Sequence, residues 1–202
     1  MKRVGVVDYD AGNLTSVKTA LKFLEAEYII SSHPEELEET EQLIFPGVGE
    51  ARTAMQNLRS RGLDQFMRDY FHSGRQMLGI CLGSQIVLSK SEEHDTTCLD
   101  VVPGTARRFS RNSGLKVPHM GWNQVYPVRS SPLFADIPGG ISFYFVHSYY
   151  PDPQADSAVL ATAEYGITFT SALQLDNLHA VQFHPEKSGK WGLKLLQNFL
   201  NF

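Results

Sequence analysis

The sequence predicts an α/β fold with a mixed, mainly parallel central sheet flanked by helices and an antiparallel, β-rich extension. In the first half of the chain, short apolar runs alternate with segments of helical periodicity. This alternation is typical of a parallel sheet covered by helices. In the second half, extended segments rich in aromatic residues follow one another, separated by Gly, Pro and Asp. Such a pattern predicts antiparallel strands that extend the same sheet.

The individual elements follow from local patterns in chain order. Short apolar runs in the first half predict strands at residues 4–8, 28–30, 43–45 and 77–80. Asn13 suits the N-cap of a helix whose apolar stripe holds Val17, Leu21 and Leu24. Further helices are predicted at residues 51–58, 63–71 and 82–88, and the acidic run 35–41 reads as a solvated helix face. The second half predicts strands at residues 105–109, 123–128, 141–149, 158–165, 169–175 and 178–183, then a closing helix at 190–202.

Length and composition limit the classes of function. A chain of 202 residues with 42% hydrophobic content can bury one sizeable core, so residues 1–202 are predicted to form one domain. The net charge of -4 comes without a block of like charges, which argues against a nucleic-acid partner. No apolar stretch approaches the roughly 20 residues that span a bilayer, and no signal peptide precedes the first strand, so a cytoplasmic protein is expected. Two cysteines cannot build a disulfide framework, which leaves Cys81 as a free thiol.

The segment GICLGSQ at residues 79–85 has the pattern of a nucleophile elbow. It lies where a predicted strand ends and a predicted helix begins, with glycines two residues before and two after Cys81. At such a turn the sulfur stands at a helix N-terminus, where backbone N–H groups and the helix dipole favour a thiolate. The alternative is that Cys81 is a small buried hydrophobic residue and that the glycines only make the turn.

The segment FHPEKSG at residues 183–189 supplies a candidate base and its orienting acid. His184 could take the proton of a thiol and return it to a leaving amine, provided that Glu186 holds the ring in one tautomer. Pro185, with its fixed φ, would keep the two side chains in a set relation. By itself the tripeptide also fits a surface turn. However, both segments follow predicted strands, and the carboxyl ends of strands are where α/β sheets bind ligands.

A third cluster on the same predicted edge is PGVG at residues 46–49. A glycine-rich turn there can aim backbone N–H groups at a developing oxyanion without a side chain in the way. Its alternative is an ordinary strand-to-helix turn. The aromatic-rich segments 120–122 and 143–150 fit either core packing or a binding surface.

Six motifs now stand together: DYDAGN at 8–13, PGVG at 46–49, GICLGSQ at 79–85, PHMGWN at 118–123, YFVHSY at 144–149 and QFHPEKSG at 182–189. With them the chain resembles the class I glutamine amidotransferases. More narrowly it resembles those that serve as the glutaminase subunit of imidazole glycerol phosphate synthase, an enzyme of histidine biosynthesis. The elbow and HPE are typical of the superfamily, whereas PHMGWN and YFVHSY narrow the resemblance to this subunit.

The resemblance implies a single type 1 glutamine amidotransferase domain with a flavodoxin-like fold and no metal or cofactor. Cys81 would attack the glutamine carboxamide, His184 would carry the proton, and Glu186 would orient His184. The backbone N–H groups of Leu82 and, after a local peptide rearrangement, Val48 would hold the oxyanion. The residues that would bind glutamine are Gly49, Gln85, Ser148 and Tyr149, and those toward the partner or the ammonia path are Asn13, Trp122, Tyr144 and Lys187.

The implied partner is a (β/α)8-barrel cyclase that forms a heterodimer with the glutaminase and receives its ammonia. Three residues depart from the family pattern: Asp10, where glycine is usual, Ser84, where methionine is usual, and the polar Glu50 after PGVG. These departures leave room for a paralogue that feeds ammonia to a different synthase. The same motifs would also fit a stand-alone γ-glutamyl hydrolase or cysteine peptidase, or a non-catalytic binding module.

Overall fold

The computed structural model describes residues 2–10, 12–110 and 114–202. Its parallel strands are β1 (Val4–Val7), β2 (Tyr28–Ser31), β3 (Gln42–Gly47), β4 (Gln76–Cys81) and, from the far end of the chain, β13 (Leu178–Val181). They lie in the order β2-β1-β3-β4-β13 and pair in parallel. Because β13 pairs directly with β4, the residues that follow β13 come to the same sheet edge as those that follow β4.

Helices cover both faces of this parallel sheet. The bounds are α1 (Leu14–Phe23), α2 (Pro34–Leu37), α3 (Ala51–Ser60), α4 (Leu63–His72), α5 (Leu82–Ile86) and α6 (Gly189–Leu200). On one face α3 and α4 contribute buried side chains such as Met55 and Met67, and on the other α1 and α6 contribute Leu21 and Leu195. The sheet is thus buried on both sides, as its continuous apolar strands require. Within the described residues, no helix is both long enough and apolar enough to cross a membrane.

An antiparallel extension continues the sheet beyond β13, as the second half of the sequence predicts. Its strands are β8 (His119–Pro127), β9 (Ile141–His147), β11 (Val159–Glu164) and β12 (Thr168–Leu175). They follow β13 in the order β12-β11-β8-β9, which gives a sheet of nine strands. Strand pairing in the hairpin of β8 and β9 places Trp122 opposite Tyr144.

A second, four-stranded sheet corrects the prediction that all later strands extend one sheet. It holds β5 (Leu88–Ser91), β6 (Thr96–Thr97), β7 (Val102–Arg108) and β10 (Tyr149–Pro153), in the order β10-β7-β5-β6. The helix predicted at 82–88 ends at Ile86, because Leu88 already pairs with Val102. The acidic run 35–41 is solvent-exposed at its glutamates, but only Pro34–Leu37 is helical.

The strand predicted at 141–149 is also wrong in one respect, because it is broken at Ser148. Up to His147 the chain pairs with β8, and from Tyr149 onward it pairs with β7 of the second sheet. The Ser148 carbonyl accepts a hydrogen bond from the Phe109 N–H at 3.1 Å, which marks the change of partner. A change of sheet within one extended run depends on distant strands and leaves no local signal.

Candidate active site

The nucleophile elbow is formed as the spacing of GICLGSQ predicts. Strand β4 ends at Cys81 and α5 begins at Leu82. Cys81 has φ 55° and ψ -107°, a conformation that non-glycine residues rarely adopt. Such backbone strain is found where the surrounding structure holds a functional side chain in place. The Cys81 side chain is buried, with the residue 5% exposed, and its thiol is free.

Two glycines make room for this turn against β3. A Cβ atom on Gly79 would stand 2.9 Å from the ring of Phe45, and one on Gly83 would collide with the Phe45 carbonyl oxygen. Real Cβ atoms do not approach other heavy atoms so closely, so side chains at either position would push the elbow away from β3. The prediction that the flanking glycines relieve crowding is therefore confirmed.

His184 and Glu186 form a buried pair at the end of β13. The His184 Nδ1 atom lies 2.7 Å from Glu186 Oε1, and the two side chains are 2% and 1% exposed. Pro185 starts the short 3-10 turn Pro185–Lys187 that holds both residues. A carboxylate can only accept, so Nδ1 carries the hydrogen and Nε2 is the ring atom available for proton transfer.

The electrostatics of His184 favour its protonated form. Burial lowers the pKa of His184, but the attraction of Cys81 and Glu186 for the charged ring outweighs that effect and raises the pKa to about 10. Among the described residues, the His184 Nε2 atom has no partner at hydrogen-bond distance, which leaves this atom available for proton transfer. An imidazole that keeps a proton beside a thiol is the partner that a thiolate nucleophile needs.

A cavity of about 250 Å³ opens beside the Cys81 side chain. The residues from the sequence analysis that line it, apart from Cys81 itself, are Val48, Gly49, Leu82, Gln85, Ser148 and Tyr149. They come from the loop after β3, from α5 and from the break between β9 and β10. The structure thus brings the proposed oxyanion and glutamine-binding residues to one pocket around Cys81.

Two further polar residues line this cavity, Glu93 and His147, and the sequence motifs predict no role for either. Glu93 lies in the turn between β5 and β6, and its carboxylate accepts a hydrogen bond from the Ala51 N–H at 2.7 Å. No local pattern distinguishes Glu93 from its acidic neighbours, because only the second sheet places it at the pocket. His147 stands inside the YFVHSY motif, so the motif itself is the signal that could have found it.

The family profile described as Glutamine amidotransferase class-I matches residues 5–201. The chain belongs to the class-I glutamine amidotransferase family. This membership confirms both the family resemblance and the α/β fold predicted from the sequence. Among the described residues of this amidotransferase, no group of three or more His, Cys, Asp or Glu side chains is arranged to hold a metal ion.

Similar proteins carry more specific names. The imidazole glycerol phosphate synthase subunit HisH of Nitrosococcus oceani is 46% identical, over 100% of this chain and 98% of its own length. The HisH subunit of Moorella thermoacetica is also 46% identical, over 98% of this chain and 94% of its own. A crystal structure of a glutamine amidotransferase superposes with a TM-score of 0.77 at 22% identity, covering 98% of this chain and 97% of its own. PurLQS from Thermotoga maritima matches with a TM-score of 0.77 at 18% identity, covering 100% and 99%.

The four residues predicted to face a partner lie around the His184 turn of this amidotransferase. Trp122 is 60% exposed, its ring centroid is 6.1 Å from that of Tyr144, and Tyr144 in turn lies 6.4 Å from the His184 ring. Asn13 caps α1 by accepting from the Ser16 N–H at 3.4 Å, and α1 packs against the turn that contains Lys187. The aromatic segments thus include both surface and core residues, because Trp122 is exposed whereas neighbouring strand positions such as Phe143 are fully buried.

The side chains at the three positions that depart from the family pattern each have a polar partner nearby. Asp10 adopts a positive φ of 58°, which aspartate tolerates better than most residues, and its carboxylate pairs with Arg61. Ser84 is buried and donates to the Cys81 carbonyl at 2.7 Å. The Glu50 Oε1 atom lies 2.6 Å from His94 Nε2. None of the three displaces Cys81, His184 or Glu186. Ala11, within the DYDAGN motif, lies outside the described residues.

Three buried histidines predict that this amidotransferase loses stability in mild acid. Burial lowers the pKa of His119 and His179 to about 4 and that of His147 to about 3. In the unfolded chain these rings take up protons below about pH 6.5, whereas in the folded chain they stay neutral. The free energy of unfolding should therefore fall as pH drops from 6.5 to 5, with a slope that approaches about 4 kcal/mol per pH unit for three rings. His184, with its raised pKa, stays protonated in the folded chain and takes up its proton near pH 6.5 in the unfolded chain, so it opposes the slope by about 0.7 kcal/mol per pH unit near pH 6.5 and adds almost nothing near pH 5.

Urea unfolding at a series of pH values from 5 to 7.5 measures this slope. His179→Met is the informative variant, because His179 lies in β13, packs on Phe202 and has no hydrogen-bond partner at either ring nitrogen among the described residues. The variant should lose about one third of the slope and remain folded. A wild-type stability that does not change over this pH range would contradict the prediction.

Proposed function

We propose that this amidotransferase hydrolyses glutamine to glutamate and ammonia and delivers the ammonia to a cyclase subunit in histidine biosynthesis. The cyclase would then make imidazole glycerol phosphate and an aminoimidazole carboxamide ribotide. The observation that carries the proposal is that Cys81, which lines the cavity, and the buried His184–Glu186 pair lie at the ends of two strands that are paired side by side. The names of the full-length relatives support the choice of synthase.

The proposed reaction follows from the protonation of the buried pair. The Cys81 thiolate attacks the carboxamide carbon of glutamine and forms a tetrahedral oxyanion, held by the N–H groups of Leu82 and Val48. The imidazolium of His184 gives its Nε2 proton to the amide nitrogen, and the C–N bond breaks. Ammonia departs, and the acyl group remains on Cys81 as a thioester. His184 then removes a proton from water, which attacks the thioester and releases glutamate. Glu186 keeps the Nδ1 hydrogen in place throughout.

The cavity wall supplies the groups that would hold the substrate. Gly49, Gln85, Ser148 and Tyr149 are proposed to bind glutamine, as the family resemblance implies. Glu93 adds a carboxylate on the same wall. A carboxylate there matches the α-ammonium group of an amino acid, so we assign Glu93 to that end of the substrate. A ligand without an ammonium group would bring no opposite charge to Glu93 and would bind less tightly.

A partner follows from the chemistry of the product. Ammonia becomes ammonium in water near neutral pH, so synthesis needs a second active site that receives it directly. We propose a (β/α)8-barrel cyclase as the other half of a heterodimer, docked on the surface that carries Asn13, Trp122, Tyr144 and Lys187. The exposed Trp122 and Met120, at 60% and 63%, suit such a contact. We further propose that residues 1–202 form one amidotransferase domain and that the protein works in the cytoplasm.

We expect the isolated chain to hydrolyse glutamine slowly and the loaded cyclase to activate it. An oxyanion loop at residues 46–49 that has not reached its binding shape lacks one donor, and the loss of one donor typically costs about 10² to 10³ in rate. Steady-state glutamate production should therefore rise by about 10² to 10³ when the cyclase and its substrate are added. Co-purification of the two subunits gives the accompanying binding measurement.

Competing functions predict different outcomes of the same assay. A stand-alone hydrolase would turn over glutamine or γ-glutamyl peptides at a rate that the cyclase and its substrate leave unchanged, which would refute the proposal. A glutaminase of another synthase would fail to bind the cyclase. A non-catalytic module would leave Cys81 unlabelled by an electrophilic glutamine analogue, even with the cyclase present.

A further inference from the structure

Two buried histidines meet behind the wall of the glutamine cavity. His119 on β8 and His147 on β9 are opposite each other in the strand pairing, and they are 3% and 5% exposed. The His119 Nδ1 atom lies 2.9 Å from His147 Nε2. His147 lines the cavity, yet the reaction outlined above gives neither ring a task. A buried polar pair of this kind needs a reason to be kept.

The hydrogen-bond partners determine the hydrogen positions on both rings. His147 Nδ1 lies 2.7 Å from the Tyr149 carbonyl oxygen, which can only accept, so Nδ1 carries the hydrogen. In a neutral ring, His147 Nε2 is then an acceptor, and the His119 Nδ1–H donates to it. The His119 Nε2 atom accepts in turn from the Asn123 side-chain amide at 3.3 Å. The direction of every hydrogen bond from Asn123 to Tyr149 is thereby fixed.

The surroundings keep both rings neutral. The aromatic rings of Phe109, Phe145, Tyr165 and Phe169 pack against the histidine pair. Burial among them lowers the pKa of His147 and of His119, and the His184 ring acts in the same direction on His147. A neutral His147 donates from Nδ1 alone, and its replacement would remove one hydrogen bond from the Tyr149 carbonyl.

That carbonyl belongs to the substrate site. The Tyr149 oxygen also accepts from the Gln85 side-chain amide at 3.0 Å, and Gln85 donates to Gln182 at 3.0 Å. Gln182 reaches the Cys81 sulfur at 3.7 Å. The Tyr149 carbonyl belongs to the peptide between Tyr149 and Tyr150, at the start of β10, directly after the chain changes from one sheet to the other. A hydrogen bond from His147, on the other side of the break, is therefore well placed to fix the orientation of this peptide.

We propose that His147 is a positioning residue for the glutamine site, and that its Nδ1–H holds the Tyr149 carbonyl so that Ser148, Tyr149 and Gln85 face the substrate. His119 and Asn123 select the required tautomer of His147 from behind. The assignment rests on the proposed glutaminase function. It gives the buried pair a role in binding glutamine and none in the chemical step.

Two substitutions at His147 separate the donor from the acceptor. In His147→Asn the side-chain amide nitrogen replaces Nδ1, so a donor toward the Tyr149 carbonyl is kept and the acceptor for His119 is lost. In His147→Gln the amide lies at the position of Nε2, so an acceptor for His119 is kept and the donor is lost. The two variants are matched in chemistry and polarity, and they differ in which hydrogen bond survives.

Glutaminase kinetics are measured on the complex with the loaded cyclase for wild type and both variants, alongside the thermal midpoint of each. We expect His147→Gln to raise KM for glutamine about tenfold, the effect of one lost hydrogen bond, with kcat changed less than about threefold. His147→Asn should stay within about threefold of wild type in both constants. In the wild type, ¹⁵N chemical shifts should report the Nδ1–H tautomer for His147 and for His119.

The outcomes distinguish this inference from the function on which it rests. A wild-type complex that hydrolyses no glutamine would overturn the proposed function. An active wild type with equal KM values for both variants would overturn the positioning role alone, whatever their thermal midpoints, because a merely structural pair would not separate donor from acceptor. An Nε2–H tautomer of His147 would also overturn it.

Discussion

Replacing Cys81 by serine should abolish glutamine-dependent synthesis by the complex and leave synthesis from added ammonium intact. A hydroxyl at this position is not deprotonated by the arrangement that serves a thiol, so no acyl intermediate forms. We expect glutamine hydrolysis to fall by about 10⁴ or more, since loss of a nucleophile removes the catalytic unit as a whole. The cyclase needs only a nitrogen source, so ammonium should bypass the defect. Product formation with glutamine and with ammonium measures the two activities.

Cys98→Ser is the matched control, because it makes the same change at the other cysteine. Cys98 is buried, its thiol contacts the Thr96 carbonyl at 3.5 Å, and burial raises its pKa to about 12. A thiol in that environment is unreactive, so the variant should keep both activities. If Cys81→Ser lost ammonium-dependent synthesis as well, while the subunits still associated, the proposed division of labour would be wrong.

Replacing Glu186 by glutamine should lower kcat for glutamine hydrolysis by about 10³ to 10⁴ while the fold is retained. The carboxylate accepts the Nδ1–H of His184 at 2.7 Å and helps to raise the pKa of that ring. An amide of the same shape can turn its NH₂ toward Nδ1, which stabilises the wrong tautomer and leaves the hydrogen on Nε2. The pair is almost fully buried, so water cannot restore the lost contact.

Steady-state kinetics on the activated complex test this effect, with a Glu→Gln control outside the site. Glu164→Gln is a suitable control, because Glu164 is exposed at the end of β11 and its side chain accepts a hydrogen bond from the Thr168 hydroxyl. That variant should match wild type in kcat. A loss of tenfold or less in Glu186→Gln would show that the carboxylate does not orient His184 during catalysis, whatever the geometry of the resting protein.

Local sequence patterns were sufficient for the features that depend on a few neighbouring residues. The spacing of glycines around Cys81 predicts the elbow, because only glycine fits against Phe45 at Gly79 and Gly83. Asn13 was identifiable as a helix cap, since its side-chain oxygen can accept a hydrogen bond from one of the first free N–H groups of α1. The alternation of apolar runs with helical stripes predicts the parallel half of the sheet. Family motifs added the candidate roles, which no periodicity could supply.

Tertiary structure alone decided which distant residues meet. His184 approaches Cys81 because β13 pairs with β4, with Val181 beside Ile80, across about half the length of the chain. The second sheet brings Glu93 to the cavity, and the change of sheet at Ser148 exposes a carbonyl that Gln85 and His147 share. Strand order and register are set by burial of the whole core and not by short-range preference. For this protein the sequence therefore determined the parts of the site, and the packing of two sheets determined how they face one another.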